Sequence, residues 1–127
     1  MLDVHLDDFF KHISTALLLG LQRFPAPFTL FVEDISGPDD MDEFGLHSPQ
    51  HLAALGAIQW LKDEDFARFG ARDGQISVDD FVLTSKAFSR LLKQTDETVL
   101  FNALEKALTE RDSGKLRTLV QAHILGK

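Results

Sequence analysis

The dipeptide Ser48-Pro49 constrains the fold more than any other feature of this sequence, because it marks where a helix begins. A serine at the N-cap accepts a hydrogen bond from a backbone amide that has no partner inside the helix, and proline at the first helical position lacks a donor that would have none. The sequence therefore predicts a helix that ends near 63–65, with Gly56 and the alanines of the helix allowing close packing. Its apolar face at helical spacing consists of Leu52, Leu55, Ile58 and Leu61.

Two short runs of aromatic and β-branched residues follow this helix and predict strands over 66–69 and 76–83. The Asp73-Gly74 step lies between them and tolerates the positive φ angles of a tight turn, so the two strands are expected to form a hairpin. Thr84 fits the N-cap of a further helix over 85–93. The residues expected on the buried face of that helix are Phe88, Leu91 and Leu92.

Apolar spacing also predicts a helix over about 3–23, which Pro25 and Pro27 end because proline lacks an amide donor. A short strand over 28–32 follows. Leu18 and Leu19 widen the apolar stripe of the helix beyond the width that one core contact needs. Such a helix is either central to the fold or also buried against a partner. Leu18 and Leu19 are therefore candidate interface residues of a homodimer, and packing on the core of their own chain is the open alternative.

The C-terminal part of the chain predicts two more helices. Thr95-Asp96-Glu97 is expected to open the first, with acids in its first turn that favour the helix dipole, and Ser113-Gly114 is expected to end it. At 127 residues and 44% apolar content, the chain fits one domain, 1–127. We expect its core to span about 5–93 and a C-terminal helical extension to span 95–125.

The net charge of −7 lies wholly in residues 1–50, because residues 51–127 hold equal numbers of basic and acidic side chains. An acidic chain repels phosphate backbones and anionic membrane surfaces. Its longest apolar stretch is far shorter than the ~20 residues that span a bilayer. No cysteine is present, which excludes disulfides and thiolate metal sites. A cytoplasmic protein with no membrane partner is expected.

The acidic stretch over 33–47 is predicted to be a loop with at most one helical turn. It is the candidate surface for a basic partner, through Asp39, Asp40, Asp42 and Glu43. His47 and His51 are four residues apart, a spacing that can bind metal, but His47 precedes the Ser48 cap, so we expect no metal site there. His5, His12 and His123 are expected to be surface or hydrogen-bonded histidines.

Motifs for catalysis are not evident in the sequence. It has no Gly-x-Ser-x-Gly nucleophile turn, no glycine-rich phosphate loop and no Cys–His pair. We therefore expect no enzymatic activity and no cofactor.

Residues 57–69, Ala-Ile-Gln-Trp-Leu-Lys-Asp-Glu-Asp-Phe-Ala-Arg-Phe, and residues 81–88, Phe-Val-Leu-Thr-Ser-Lys-Ala-Phe, carry a resemblance to a known family. They are similar to the second half of a winged-helix domain, in which an apolar helix, a strand, a wing and a closing strand end in Leu-Thr-x-Lys-Gly-Phe/Leu. Ala87 stands where that pattern has glycine. The flanking helices resemble those of small uncharacterised bacterial proteins of this fold.

The resemblance implies a mainly α fold with a small β-hairpin wing, a winged-helix-like core and flanking N- and C-terminal helices. In DNA-binding members the helix before the wing enters the major groove and the wing contacts phosphate. The residues that would do so here are Gln50, His51, Lys62, Arg68 and Arg72. Because the acidic residues beside them disfavour DNA, we expect a protein-interaction module that forms a homodimer. The alternative is a DNA-binding transcriptional regulator with an acidic body.

Overall fold

The computed structural model describes residues 2–38 and 44–126, and in that part the chain forms six helices and four short strands. The helices are α1 (Leu2–Arg23), α2 (Glu33–Ser36), α3 (Pro49–Asp63), α4 (Ser85–Leu91), α5 (Leu100–Thr109) and α6 (Ser113–His123). The strands are β1 (Phe28–Phe31), β2 (Ala67–Arg68), β3 (Arg72–Asp73) and β4 (Ser77–Leu83). A mainly helical fold with a small β-sheet is thereby confirmed. No helix within these two ranges combines the length and apolar character needed to cross a bilayer.

The strands form an antiparallel sheet with β4 at its centre. β1 pairs with one edge of β4, and β2 and β3 pair with the other. β3 and β4 form a hairpin through Gly74, whose φ of 55° is the left-handed conformation that the Asp-Gly step is expected to allow. The strand predicted over 66–69 pairs only at Ala67 and Arg68. Asp80, with φ of 58°, forms an irregularity in β4 opposite the break between β2 and β3, where the backbones of Gly70 and Ala71 still bond to Asp79.

Helix α1 is the central element of the core. It contacts α3, β4, α5 and α6, and its innermost residues are Phe10, Ile13, Ala16 and Leu17, each at most 5% exposed. These residues belong to one hydrophobic cluster that includes side chains from α3 to α6. Leu17 and the terminal helices therefore pack on the core of their own chain, the alternative that the sequence leaves open.

Gly20 lets the backbone of α1 approach β4 closely. A Cβ atom at Gly20 would lie 2.8 Å from Cγ and Cδ2 of Leu83 and 3.2 Å from the Phe81 ring. Both of those side chains are buried, at 1% and 0% exposure. A Cβ atom at Gly56 in α3 would meet no neighbouring atom within 4 Å, so the expectation that Gly56 allows close packing is wrong. Close helix–sheet packing therefore depends on a different glycine.

Thr84 joins the start of α4 to the end of α3. Its hydroxyl accepts a hydrogen bond from the Ala87 amide at 3.3 Å, which confirms the predicted N-cap. The same hydroxyl donates to the Asp65 carbonyl at 2.7 Å. One side chain therefore caps a helix and fixes the turn that precedes β2.

Helix α5 begins at Leu100 and not at Thr95–Glu97 as the sequence predicts. The Thr95 amide bonds to the Thr98 carbonyl at 2.8 Å, and the Thr95 hydroxyl donates to the same oxygen. Gln94 and Val99 form an isolated bridge across this turn. A threonine that bonds to nearby backbone groups competes with helix formation, so residues 94–99 form a turn and their acids lie outside the helix.

Helices α5 and α6 pack on each other and on α1. The break between them lies at 110–112, one turn earlier than the predicted Ser113-Gly114, because Asp112 caps α6 by accepting a hydrogen bond from the Lys115 amide at 3.0 Å. The Arg117 guanidinium on α6 donates to the Asp7 carboxylate on α1 at 2.8 Å. The first and last helices of the fold are therefore held side by side.

We expect Gly20→Ala to lower the free energy of unfolding by about 1–3 kcal/mol, because the added methyl group must displace Leu83 in a packed core. Gly56→Ala is the matched control, since it makes the same change in a helix where the new atom meets open space. It should raise that free energy by about 0.5–1 kcal/mol through helix propensity. Urea unfolding followed by circular dichroism measures both, and equal effects would contradict the close approach of α1 and β4.

Candidate interaction surfaces

His51 fixes the first turn of α3 to the β3–β4 hairpin. Ser48 accepts a hydrogen bond from the His51 amide at 3.1 Å, which confirms the predicted helix start. The His51 side chain is buried, and its Nε2 lies 2.6 Å from the Gln75 carbonyl oxygen. Because a carbonyl oxygen can only accept, Nε2 carries the proton. The His47 ring stacks on His51 with centroids 4.1 Å apart and an interplanar angle of 9°.

The buried face of α3 starts at His51 and not at Leu52 as predicted. Leu52 is 43% exposed, whereas His51 is 2% exposed. The reason is the hairpin, which covers the side of the first turn that His51 occupies. The remaining predicted positions of the stripe, Leu55, Ile58 and Leu61, are buried. An exposed leucine therefore stands at the N-terminal end of α3.

Gln50 faces α1. Its amide donates to Oδ2 of Asp8 at 2.8 Å. Further along α1, His12 is 1% exposed and is therefore not a surface histidine. Its Nδ1 has no hydrogen-bond partner among the described residues, whereas the Gln50 side chain is a hydrogen-bond partner of the ring. Burial lowers the pKa of His12, and Lys11 acts in the same direction, against the opposing effects of Asp8 and Gln50. His12 is therefore neutral at pH 7.

The five residues expected to contact nucleic acid lie on α3, β2 and β3. Gln50 and His51 are held by Asp8 and Gln75, as described above. Lys62 lies about 18 Å further along the α3 axis, and its ammonium covers the Phe69 ring at 4.5 Å from the centroid. The other two, Arg68 in β2 and Arg72 in β3, are exposed.

Leu18 and Leu19, the residues expected at a dimer interface, are half-buried and pack against the core of their own chain. Leu18 also lines an open groove of about 320 Å³ between α1 and α5. Leu92 lies at its rim and is 46% exposed, which contradicts its predicted place on the buried face of α4. Ala87 takes that place and is buried. The groove is lined by Leu18, Leu21, Gln22, Leu92, Phe101 and Glu105.

The four acidic residues expected to meet a basic partner, Asp39, Asp40, Asp42 and Glu43, lie outside the described residues. The start of the same acidic stretch is described. Glu33 and Asp34 form the first turn of α2 and are both exposed, and the four residues of α2 match the single helical turn that the sequence predicts.

Exposed apolar residues near the start of α3 and the tip of the hairpin are a feature that the sequence does not predict. Phe31 is 48% and Ile76 is 49% exposed, and the sequence patterns assign both to strands without defining the face on which they lie. The period of two along β1 is the signal that could have found Phe31, because it places Leu30 inward and Phe31 outward. Further exposed apolar side chains at this end are Phe44, Leu46 and Leu52.

Metal-binding groups are not clustered in the part of the chain that the structure describes, where no set of three or more His, Asp or Glu side chains could hold an ion. A second open cleft of about 290 Å³ lies between α6 and the turn before α5. Its polar lining includes the Lys115–Glu97 ion pair, whose charged atoms are 3.7 Å apart. The candidate surfaces are therefore the groove and the end of the molecule around His51.

We expect the stability of the protein to fall as the pH drops below about 6.5, the ordinary pKa of histidine. The unfolded chain then binds a proton at His12 that the folded chain resists, so the free energy of unfolding rises with pH in this range. Between pH 7.5 and pH 5.5, His12→Leu should lose less free energy of unfolding than the parent protein does. Urea unfolding at the two pH values measures this loss. His5→Leu, at an exposed position of the same helix, should keep the parental loss. A His12→Leu protein with the full parental loss would contradict this assignment.

Comparison of the chain with protein-family models, with curated proteins and with solved structures found no match. The surfaces must therefore be interpreted from their own contacts, burial and charge. Those contacts bond Gln50 and His51 of α3 to other parts of the chain and leave Leu52 exposed on the same turn.

Proposed function

We propose that this protein is a winged-helix-type protein-interaction module that forms a homodimer and has no enzymatic activity. The order of elements supports the fold type. Helix α1, strand β1, helices α2 and α3, strand β2 and the β3–β4 hairpin follow one another as in a winged helix, and β4 lies between β1 and β2. In this correspondence α3 is the recognition helix and the β3–β4 hairpin is the wing.

The observation that carries the proposal is that polar side chains of α3 form hydrogen bonds within the chain. Reading of DNA bases needs side-chain donors and acceptors that point into the groove. Here Gln50 bonds to Asp8, His51 bonds to Gln75, and Gln59 donates to Asp63 at 3.1 Å. The exposed positions of the first two turns include Leu52 and Gly56, and the exposed Gln50 side chain is the one bonded to Asp8. Such a helix is suited to contact a protein and not a base pair.

A DNA-binding regulator is the second candidate, and Arg68 and Arg72 favour it. Both are exposed in the strands that lead into the wing, where phosphate contacts would be made. Asp73 in β3, and Asp79 and Asp80 in the neighbouring strand β4, are also exposed and oppose that role by repelling phosphate. We therefore place DNA binding second.

The groove supports a homodimer because one chain offers both parts of a two-fold contact, an apolar depression and an exposed leucine that could enter it. It is an apolar depression lined by Leu18, Leu21 and Phe101, and exposed Leu92 lies at its rim. A two-fold axis gives each copy the same surface, so the Leu92 of one chain can enter the groove of the other. Glu105 lines the groove and Lys93 follows Leu92. Neither has an ion-pair partner within residues 2–38 and 44–126, so they can pair across the axis.

We expect no salt-sensitive binding to a mixed-sequence DNA duplex at ~50 mM salt, because few cations are placed to neutralise phosphates. Fluorescence anisotropy of a labelled duplex measures this. Tight binding that weakens steeply by ~200 mM salt, and that is lost in Arg68→Ala/Arg72→Ala, would favour the DNA-binding candidate instead.

We expect light scattering after size exclusion to give twice the chain mass of 14.2 kDa. Leu92→Asp should shift the protein to the monomer mass, because it places a carboxylate in the apolar contact. Leu125→Asp is the matched control at 44% exposure, and it should leave the mass unchanged. A monomer mass for the parent protein at about 50 µM would contradict the homodimer.

A further inference from the structure

His12 is a buried titratable side chain in the contact between α1 and α3. It is 1% exposed, and the Gln50 side chain of α3 is a hydrogen-bond partner of its ring. Nε2 of Gln50 donates to Oδ2 of Asp8 at 2.8 Å, so the side-chain carbonyl oxygen of Gln50 remains to accept from the ring. One chain of hydrogen bonds therefore joins the two helices, and we call it the His12 contact: His12, Gln50 and Asp8.

The Nδ1 atom of His12 has no hydrogen-bond partner among the described residues. Because the Gln50 oxygen accepts, the ring donates through Nε2, and Nδ1 is the nitrogen left to bind a second proton. That proton would create a buried cation whose new N–H group has no acceptor, and an unpaired buried charge is costly. The closed contact therefore excludes the protonated ring.

The charged groups around His12 do not compensate for that proton. On α1, Asp8 favours the cation, whereas Lys11 and burial oppose it, and the pKa of His12 is lowered in spite of Asp8. His51 on α3 is bonded to the hairpin, and Arg117 on α6 is bonded to the start of α1. Charged side chains elsewhere on the elements that contact α1 are exposed, and they include Glu33, Asp34, Lys62, Asp79, Asp80 and Glu105.

Helix α1 is held more firmly than α3. Gly20 of α1 lies against Leu83 of the sheet, α1 also packs on α5, and the Arg117 guanidinium bonds to the first turns of α1. Helix α3 contacts α1, α2 and the short strand β2, and its first turn is tied to the hairpin by His51. An opening that exposes His12 to water therefore costs less when α3 moves than when α1 does.

We propose that the His12 contact is an acid-sensitive contact, which opens when His12 binds a second proton on Nδ1 and releases α3 while α1 and α5 stay folded. The proton is excluded from the closed form and accepted by the open form, so a falling pH increases the open fraction. The inference goes beyond the proposed function, because it holds whatever α3 contacts. It makes mild acid a regulator of the helix that presents the interaction surface.

The test uses single thiols, since the chain has no cysteine of its own. Ala54 on α3 is 0% exposed and Ala107 on α5 is 1% exposed, so Ala54→Cys and Ala107→Cys are a matched pair. A disulfide reagent such as 4,4′-dithiodipyridine labels each thiol when its helix opens. Each rate is divided by the rate of the same variant unfolded in urea at the same pH, which removes the pH dependence of the thiol itself.

Between pH 7.5 and pH 5.5 the normalised rate of Ala54→Cys should rise several-fold. About tenfold is the ceiling for one proton bound below a pKa of about 6.5. At pH 5.5 this rate should exceed that of Ala107→Cys, because α3 opens without α5. The rise should disappear in His12→Leu/Ala54→Cys. It should persist in His47→Gln/Ala54→Cys, which removes the ring stacked on His51.

Far-ultraviolet circular dichroism confirms that each variant is folded, and Ala57→Cys, at 3% exposure on α3, replaces Ala54→Cys if that variant is not. Amide hydrogen exchange of the parent protein repeats the comparison without a substitution. Relative to intrinsic rates, α3 amides should exchange faster than α5 amides at pH 5.5.

Three results would overturn the inference: no rise in the Ala54→Cys rate, a rise that persists in His12→Leu, or equal normalised rates for the α3 and α5 thiols at pH 5.5. Equal rates would mean that acid opens the whole fold. The dimer mass and the DNA titration do not enter this test, so failure of the proposed function is seen separately.

Discussion

The packing of α1 against the rest of the chain is the constraint on which the structure depends. One helix contacts α3, β4, α5 and α6, so every layer of the core shares it. Its approach to the sheet is set at Gly20, where there is no room for a side chain between the helix and Leu83. With α1 this close to the sheet, the side chains of Ile13 and Leu17 are fully buried. The sheet, α3 and the terminal helices are then arranged around a single hydrophobic cluster.

The same arrangement decides which side chains remain for binding. Because α3 packs on α1, Gln50 meets Asp8, and because the hairpin folds back on α3, His51 meets Gln75. An external ligand that recruited Gln50 or His51 would have to break these bonds, which opposes such recruitment. The apolar residues beside them carry no such cost.

Local signals in the sequence predict the elements well and their partners poorly. Ser48-Pro49, Thr84 and Asp73-Gly74 act through neighbouring backbone groups, so their caps and turn could be predicted without knowing the fold. The face of each element depends on what covers it. Leu52 and Leu92 fit their apolar stripes but are exposed, because the hairpin covers His51 and α4 buries Ala87.

The candidate sites show the same limit. Gln50 and His51 have the side-chain chemistry of base readers, and only the fold shows that they bond to Asp8 and to the Gln75 carbonyl. The groove joins α1 with residues of the α4–α5 region that are distant in sequence, so Leu18 could be predicted as an interface residue while Phe101 could not. No sequence pattern distinguishes Gly20, and its role becomes visible only when the structure places Leu83 beside it.

The contact between Asp7 and Arg117 has a consequence for synthesis, because the two residues are 110 positions apart. A ribosome adds about 5–20 residues per second, so α1 is complete for about 5–20 s before α6 emerges. During that interval no residue of α6 can cover the apolar side of α1, and a nascent chain with uncovered apolar surface tends to associate with others. The side of α1 that faces α6 is thus uncovered until α6 has been made.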